Sequence, residues 1–305
     1  MKPALSIVFF TVSSGAGLGL LALLALSDLL QLGGGLSRSQ LLTGGILGFV
    51  LVSLGLLAST LHLANPRNAW RSFARFRTSW LSREAVFAVL FIVCALAYLA
   101  SIAWQPNPVR IPAAIAVVVL AWVVLYCTAM IYASLKPIRQ WHTQLTPLCY
   151  VLFGHYSASL LLVWIAVMGT TAVAPYAILA LALLLAAGAA KMAWVEHAPP
   201  SEGPRIQSAL GQPTAAQVKL LDAGHSHGTF LTNEFAFQLA RQHAERLGNT
   251  FWIATFIAPA IVLVFLPDAV LGAALACLAG LFAERWLFFA EARHTVNLYH
   301  GAQRA

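Results

Sequence analysis

Eight stretches of the chain, at roughly 5–26, 41–62, 85–104, 111–133, 148–169, 172–194, 250–267 and 270–291, are almost free of charge. Each approaches the about 20 residues an α-helix needs to cross the hydrocarbon of a bilayer. Backbone groups inside lipid must be satisfied within their own segment, so such runs form helices and not open strands. The pattern predicts an all-α polytopic membrane protein, a bundle of eight transmembrane helices built as one domain over residues 1–305. Only Leu266, Pro267 and Asp268 separate the last two runs, and proline with aspartate suits a tight turn. The first run follows a single lysine and outlasts the roughly 7 to 15 apolar residues of a signal-peptide core, so it reads as a retained first span.

The polar positions lie between the runs, and they are uneven. An even number of spans puts both termini on one side, and that side collects 16 of the 18 lysines and arginines, leaving Arg38 and Arg110 opposite. The positive-inside rule then places both termini in the cytoplasm. The longest connection, 195–249, falls on the same side. It opens with the proline- and glycine-rich HAPPSEGP and GQPT and closes with NEFAFQLARQHAERLGN, which reads as a cytoplasmic helix leading into the seventh span or as a surface for a partner.

Composition agrees with a membrane protein: 60% of the 305 residues are hydrophobic and 9% charged, against about 25% charged in soluble domains, and mean hydropathy is +0.80. The net charge of +8 does not point to nucleic acid, because arginines of a membrane protein gather in loops facing anionic lipid headgroups or an anionic partner. Cys94, Cys127, Cys149 and Cys277 are scattered through apolar segments without a CxxC pair, so they read as packing residues, and the sequence holds no iron–sulfur cluster motif of its own. SSGAGLG at 13–19 puts Gly15 and Gly19 on a small-residue face for close helix packing; with no strand before it, it is not a dinucleotide loop.

Ionisable residues in a bilayer are costly, so their depth carries information. His62 ends the second run, Glu84 precedes the third, His155 lies about two turns into the fifth, Lys191 is near the end of the sixth, and Glu284 with Arg285 sits in the inner half of the eighth. All are expected on the terminus-bearing side. Transport needs polar groups or broken helices continuing through the midplane, so this distribution disfavours a channel or transporter. It favours a pocket that stops partway and takes an oily molecule with a polar reactive head, for which a quinone is the natural candidate. Quinone chemistry needs groups that trade protons with water, and His62 and Glu84 are the candidates. A haem b reading requires two histidines at matching depth, for which His62 and His155 are the tolerable pair. GHSH at 224–227 offers two loop histidines without further ligands, more simply read as solvated than as a metal site.

Residues 62–84, HLANPRNAWRSFARFRTSWLSRE, combine a histidine, a proline, five arginines and four aromatic rings with no acid until Glu84. This stretch, with its L-S-x-E helix start, resembles the corresponding loop of the membrane-anchor subunits of dimethyl sulfoxide reductases. AERWLFFAEARHTVNLYHG at 283–301 resembles their final span. The resemblance implies a quinone, ubiquinone or menaquinone, as the redox partner in the membrane, and no haem or molybdopterin in this chain. It also implies a molybdopterin catalytic subunit and a four-cluster iron–sulfur electron-transfer subunit as partners. By resemblance, His62 is the histidine of the quinone site and Glu84 its acidic partner. FFTVSSGAGLGLLALL at 9–24 and RFRTSWLSRE at 75–84 look more like anchors of cytoplasm-facing, sulfite-oxidising molybdoenzymes, which would send electrons from sulfite to quinone. The alternative is the quinol-oxidising direction of a dimethyl sulfoxide reductase, whose catalytic subunits lie outside the cytoplasm; the charge bias here predicts docking inside.

The arginine loop then acquires expected roles. Arg71 and Arg75, four residues apart and so on one face of a regular helix, would support the quinone together with Trp80, while Arg67, Arg77 and Arg83 would meet the cluster-bearing partner. Trp70, Phe73, Phe76 and Trp80 would seat the loop at the membrane interface.

Overall fold

In the computed structural model the described residues are 4–60, 66–104, 107–197, 204–212, 218, 221 and 239–300; for 66, 67, 69, 239–243, 299 and 300 the backbone alone is described. Eight helical spans cross the molecule among them, and no β-strand is present in these segments. They are α1 (Leu5–Leu30), α2 (Arg38–Thr60), α3 (Trp80–Ala103), α4 (Arg110–Ala133), α5 (Leu145–Val167) and α6 (Ala174–His197). After a short turn of helix, α7 (Ile206–Ala209), the seventh span is made by α8 (Leu239–Trp252) and α9 (Ala258–Phe265), and the eighth by α10 (Val270–Ala290). The eight apolar runs therefore become eight spans, and the Pro267–Ala269 turn falls where proline and aspartate place it. The helix expected before the seventh span runs straight into it as α8.

Two helices form the centre. Buried residues make up 89% of the apolar window of α1 and 78% of that of α5, against 28–50% for the other spans. A helix apolar on all sides is an interior helix, and α1 is also narrow. A Cβ on Gly17 would lie 2.7 Å from the Val52 backbone nitrogen of α2, and one on Gly19 would lie 2.7 Å from the Gly154 carbonyl carbon of α5. Small residues at these crossings let backbones touch, which is how helices associate where lipid removes the hydrophobic driving force. The outer spans turn Leu54, Leu57, Val93, Leu96, Val119, Leu185 and Val264 outward, an apolar coat that matches hydrocarbon.

The seventh span contains a π-helical turn, Ile253–Ile257. Its cause is local. Pro259 has no N–H for the carbonyl four residues earlier, that of Thr255, and the Tyr156 hydroxyl of α5 donates to that oxygen instead at 2.5 Å. Tyr156 also stacks on Phe256, with ring centroids 5.8 Å apart, so the irregular turn is held from the core.

Polarity is less one-sided than the sequence indicates. α1 continues to Leu30 and carries Asp28 as a buried residue; Arg110 bridges its carboxylate through Nη2 at 2.5 Å and Nε at 2.9 Å, and Tyr98 donates to it at 3.0 Å. This pairing lies at the end opposite the arginine loop and keeps Asp28 helical where its charge alone would end the span. His155 is also deeper than expected, because α5 starts at Leu145 and places it at mid-helix. Between these levels α1 is filled by the fully buried Leu18, Leu20, Leu21 and Leu24.

Candidate functional site

The stretch between α2 and α3 folds into ten residues of 3-10 helix, Pro66–Arg75, before α3 begins at Trp80. Ser79 caps α3, its hydroxyl accepting from the Ser82 backbone N–H at 3.4 Å. Glu84 therefore sits beyond the first turn, where the helix dipole no longer explains an acid. Its side chain is buried, and the Thr128 hydroxyl of α4 donates to Oε1 at 2.5 Å.

A groove of about 500 Å³ opens beside it. Phe10 of α1, Leu56 and Thr60 of α2, Trp70 and Phe73 of the 3-10 segment, and Ala88, Val89 and Val93 of α3 form its walls. Val89 and Val93 are 53% and 60% exposed, so the groove faces the space that lipid fills. Glu84 is its one ionisable group among the described lining residues. An apolar slot with a single buried carboxyl suits a flat, oily ligand that presents an oxygen.

The other sequence candidates distribute around this groove. His62 and the side chain of Arg67 lie outside the described residues, with Thr60, two residues before His62, on the groove wall. Arg71, Arg75 and Arg77 are exposed, and Arg71 rests on the Trp70 ring at 5.7 Å. The 3-10 winding separates Arg71 from Arg75. At three residues per turn, positions three apart share a face and positions four apart do not, so the shared face expected from a regular helix does not form. Trp80 packs edge-on against Tyr126 at 5.8 Å with Arg83 over its ring at 4.2 Å, so it supports α3 beside α4. Arg83 donates to the Phe76 carbonyl at 3.1 Å and the Arg77 carbonyl at 2.8 Å, tying the loop to the first turn of α3. His155 spends both ring nitrogens at mid-helix: Nδ1 meets the Val151 carbonyl at 2.8 Å and Nε2 accepts from the Trp122 indole at 2.8 Å.

A second polar group lies deeper at the same end. Lys191 of α6 donates to Glu284 at 2.6 Å, and Arg285 bonds the other Glu284 oxygen at 2.5 Å. Aromatic rings surround both cations: Lys191 lies 4.0 Å from the centre of Trp194, and Arg285 4.0 Å from that of Tyr150. A cavity of about 310 Å³ adjoins Lys191 and Glu284, and a smaller one of about 20 Å³ lies between Arg285 and Thr128. Buried charges persist only when paired and hydrogen-bonded, and this cluster meets that condition for Glu284 and Lys191. The four cysteines are free thiols, and no group of three or more metal-ligating side chains occurs among the described residues.

Residues 1–290 match the family described as DMSO reductase anchor subunit (DmsC). The chain belongs to that family. The C subunit of the sulfite dehydrogenase of Allochromatium vinosum is 32% identical to it over 98% of this chain and 99% of its own length. The C subunit of the anaerobic dimethyl sulfoxide reductase of Escherichia coli is 29% identical over 34% of this chain and 37% of its own. Membership agrees with the resemblance carried by residues 62–84 and 283–301. The wider match to the sulfite dehydrogenase subunit agrees with the likeness seen at 9–24 and 75–84.

For a DmsC-family protein the sequence singled out Glu84 but not Thr128, because threonine in an apolar helix carries no signal of its own. Glu284 and Arg285 stand out in the sequence as ionisable residues within an apolar run, and the fold makes them an ion pair. The other partner of Glu284, Lys191, lies 93 residues away, and only the fold joins them.

Proposed function

We propose that this DmsC-family protein anchors a molybdopterin catalytic subunit and a four-cluster iron–sulfur subunit at the bacterial inner membrane. It passes electrons between the iron–sulfur subunit and a quinone, ubiquinone or menaquinone, seated in the groove at Glu84. Sulfite oxidation releases two electrons and two protons, and quinone reduction takes up two of each. The anchor's task is then to hold the quinone head near the docked partner and manage protons at its oxygens. The groove carries the reading: an apolar slot open to lipid with one buried carboxyl at its base.

The sulfite-to-quinone direction rests on near-full-length similarity to a sulfite dehydrogenase subunit; the quinol-oxidising alternative has a match over 34% of the chain behind it. The arginine loop and both termini face the cytoplasm in this reading, as the positive-inside rule requires. In this reading Arg67, Arg77 and Arg83 serve the partner, and the exposed Arg71 and Arg75 meet lipid phosphate or the partner.

The test uses the assembled complex. In Glu84→Gln and His62→Ala variants, sulfite-driven reduction of a quinone analogue is compared with sulfite-driven reduction of a soluble electron acceptor. Loss of quinone-linked turnover with soluble-acceptor turnover kept at the parental rate is expected. Parental quinone-linked turnover in Glu84→Gln would overturn the assignment of the groove, and parental turnover in His62→Ala would remove His62 from the site.

A further inference from the structure

Thr128 has one hydroxyl proton and two acceptors within reach. Its Oγ1 lies 2.5 Å from Glu84 Oε1 and 3.0 Å from the Val124 carbonyl one turn earlier in α4. Both Thr128 and Glu84 are 5% exposed, and Glu84 is the one of the two that lines the groove. A hydroxyl donates one hydrogen bond and accepts two, and the two distances therefore define two complete bonding patterns. With Glu84 ionised, the Thr128 hydroxyl donates to the carboxylate. With Glu84 protonated, the carboxyl O–H donates to Oγ1, and the Thr128 proton turns to the Val124 carbonyl. Neither pattern leaves Thr128 Oγ1 or Glu84 Oε1 without a partner, whereas an apolar side chain at 128 would strand Oε1 in either state.

We propose that Thr128 is a positioning residue that lets Glu84 give and regain a proton at fixed geometry; the proposal rests on the quinone reading of the groove. In the reductive direction, two electrons arrive from the partner's iron–sulfur centre. The Glu84 O–H bond breaks, its proton forms an O–H bond on a quinone oxygen, and the Thr128 hydroxyl swings from Val124 to the new carboxylate. Water at the groove mouth supplies the second proton to the other quinone oxygen and restores the Glu84 proton, which closes the cycle for protons and electrons alike. Valine matches threonine in shape but cannot hydrogen-bond, and serine keeps the hydroxyl.

The experiment therefore compares Thr128→Val and Thr128→Ser in the full complex, measuring kcat and KM for a quinone analogue together with soluble-acceptor turnover. Thr128→Val is expected to lower quinone-linked kcat by about tenfold, the scale of one lost buried hydrogen bond to a charged group, with KM and soluble-acceptor turnover unchanged. Thr128→Ser is expected within about twofold of the parent, since the bond is retained. Infrared difference spectra of quinone reduction supply a readout that packing alone does not move: the Glu84 carboxyl band, identified by its loss in Glu84→Gln, is expected to shift in Thr128→Val and to hold in Thr128→Ser. Parental kcat in Thr128→Val overturns the proposal, and so does equal loss in both Thr128 variants. Glu84→Gln separates the two levels: parental quinone turnover there refutes the groove reading itself, while impairment there with a parental Thr128→Val refutes the role of Thr128 alone.

Discussion

Alanine substitutions at Gly15 and Gly19 should give opposite results although both glycines lie on the α1 face toward α5. At Gly15 the new Cβ would meet Gly154 Cα at 3.9 Å and Leu125 Cδ2 at 4.0 Å, which are ordinary contacts. At Gly19 it would press on the Gly154 carbonyl, 2.7 Å from its carbon and 3.0 Å from the Ala158 Cβ. The first obstacle there is backbone, so no rotamer change relieves it, and the two central helices must separate. Overpacking of this kind costs about 1–3 kcal/mol, offset in part by the up to about 1 kcal/mol that alanine gains over glycine in a helix. Gly15→Ala keeps that gain without the clash. The two variants should therefore differ by about 2 kcal/mol, roughly 30-fold in an unfolding equilibrium constant. Reversible unfolding of the purified subunit in mixed detergent micelles measures this difference. Equal stabilities, or a Gly15→Ala variant weaker than Gly19→Ala, would refute the packing account of α1 against α5.

Two further outcomes test the buried polar groups. Glu284→Gln strands Lys191 and Arg285 as uncompensated buried cations and is expected to cost about 3–5 kcal/mol, clearly more than Lys191→Met, which leaves Glu284 its bond to Arg285; comparison of thermal midpoints in detergent checks the ranking. Tyr156→Phe removes the donor that serves the Thr255 carbonyl and is expected to cost about 1–3 kcal/mol. Pro259→Ala, which supplies a backbone N–H to that carbonyl, should recover most of the loss when the two are combined, and a double variant no more stable than Tyr156→Phe would reject this account of the π-helical turn.

The spans were legible because the transfer of apolar side chains into lipid is a local property of sequence, summed over about 20 residues. Their ends were less so. Asp28 reads as a loop residue until Arg110, 82 positions away, neutralises it, and α3 starts earlier than its apolar run because the cap is Ser79 and Trp80 is held by Tyr126. Arg71 and Arg75 were paired on the geometry of a regular helix, and the backbone adopted the tighter winding instead. Glu84 was visible as an acid where acids are costly. What it touches was not, since its partner Thr128 comes from the next helix and looks like any helix threonine. Lys191, Glu284 and Arg285 all count to the terminus-bearing side of their spans, while their union required the contact between α6 and α10.

The helix that the finished bundle encloses most completely precedes the other seven spans in chain order. Newly inserted α1 waits in lipid with Thr11, Ser13 and Ser14 uncovered, gaining α2 soon after and α10 only when nearly the whole polypeptide has been synthesised. Biogenesis of this protein is therefore a late closure around an early seed, and a polypeptide stopped short of α10 leaves one flank of that seed facing hydrocarbon or quality-control proteases.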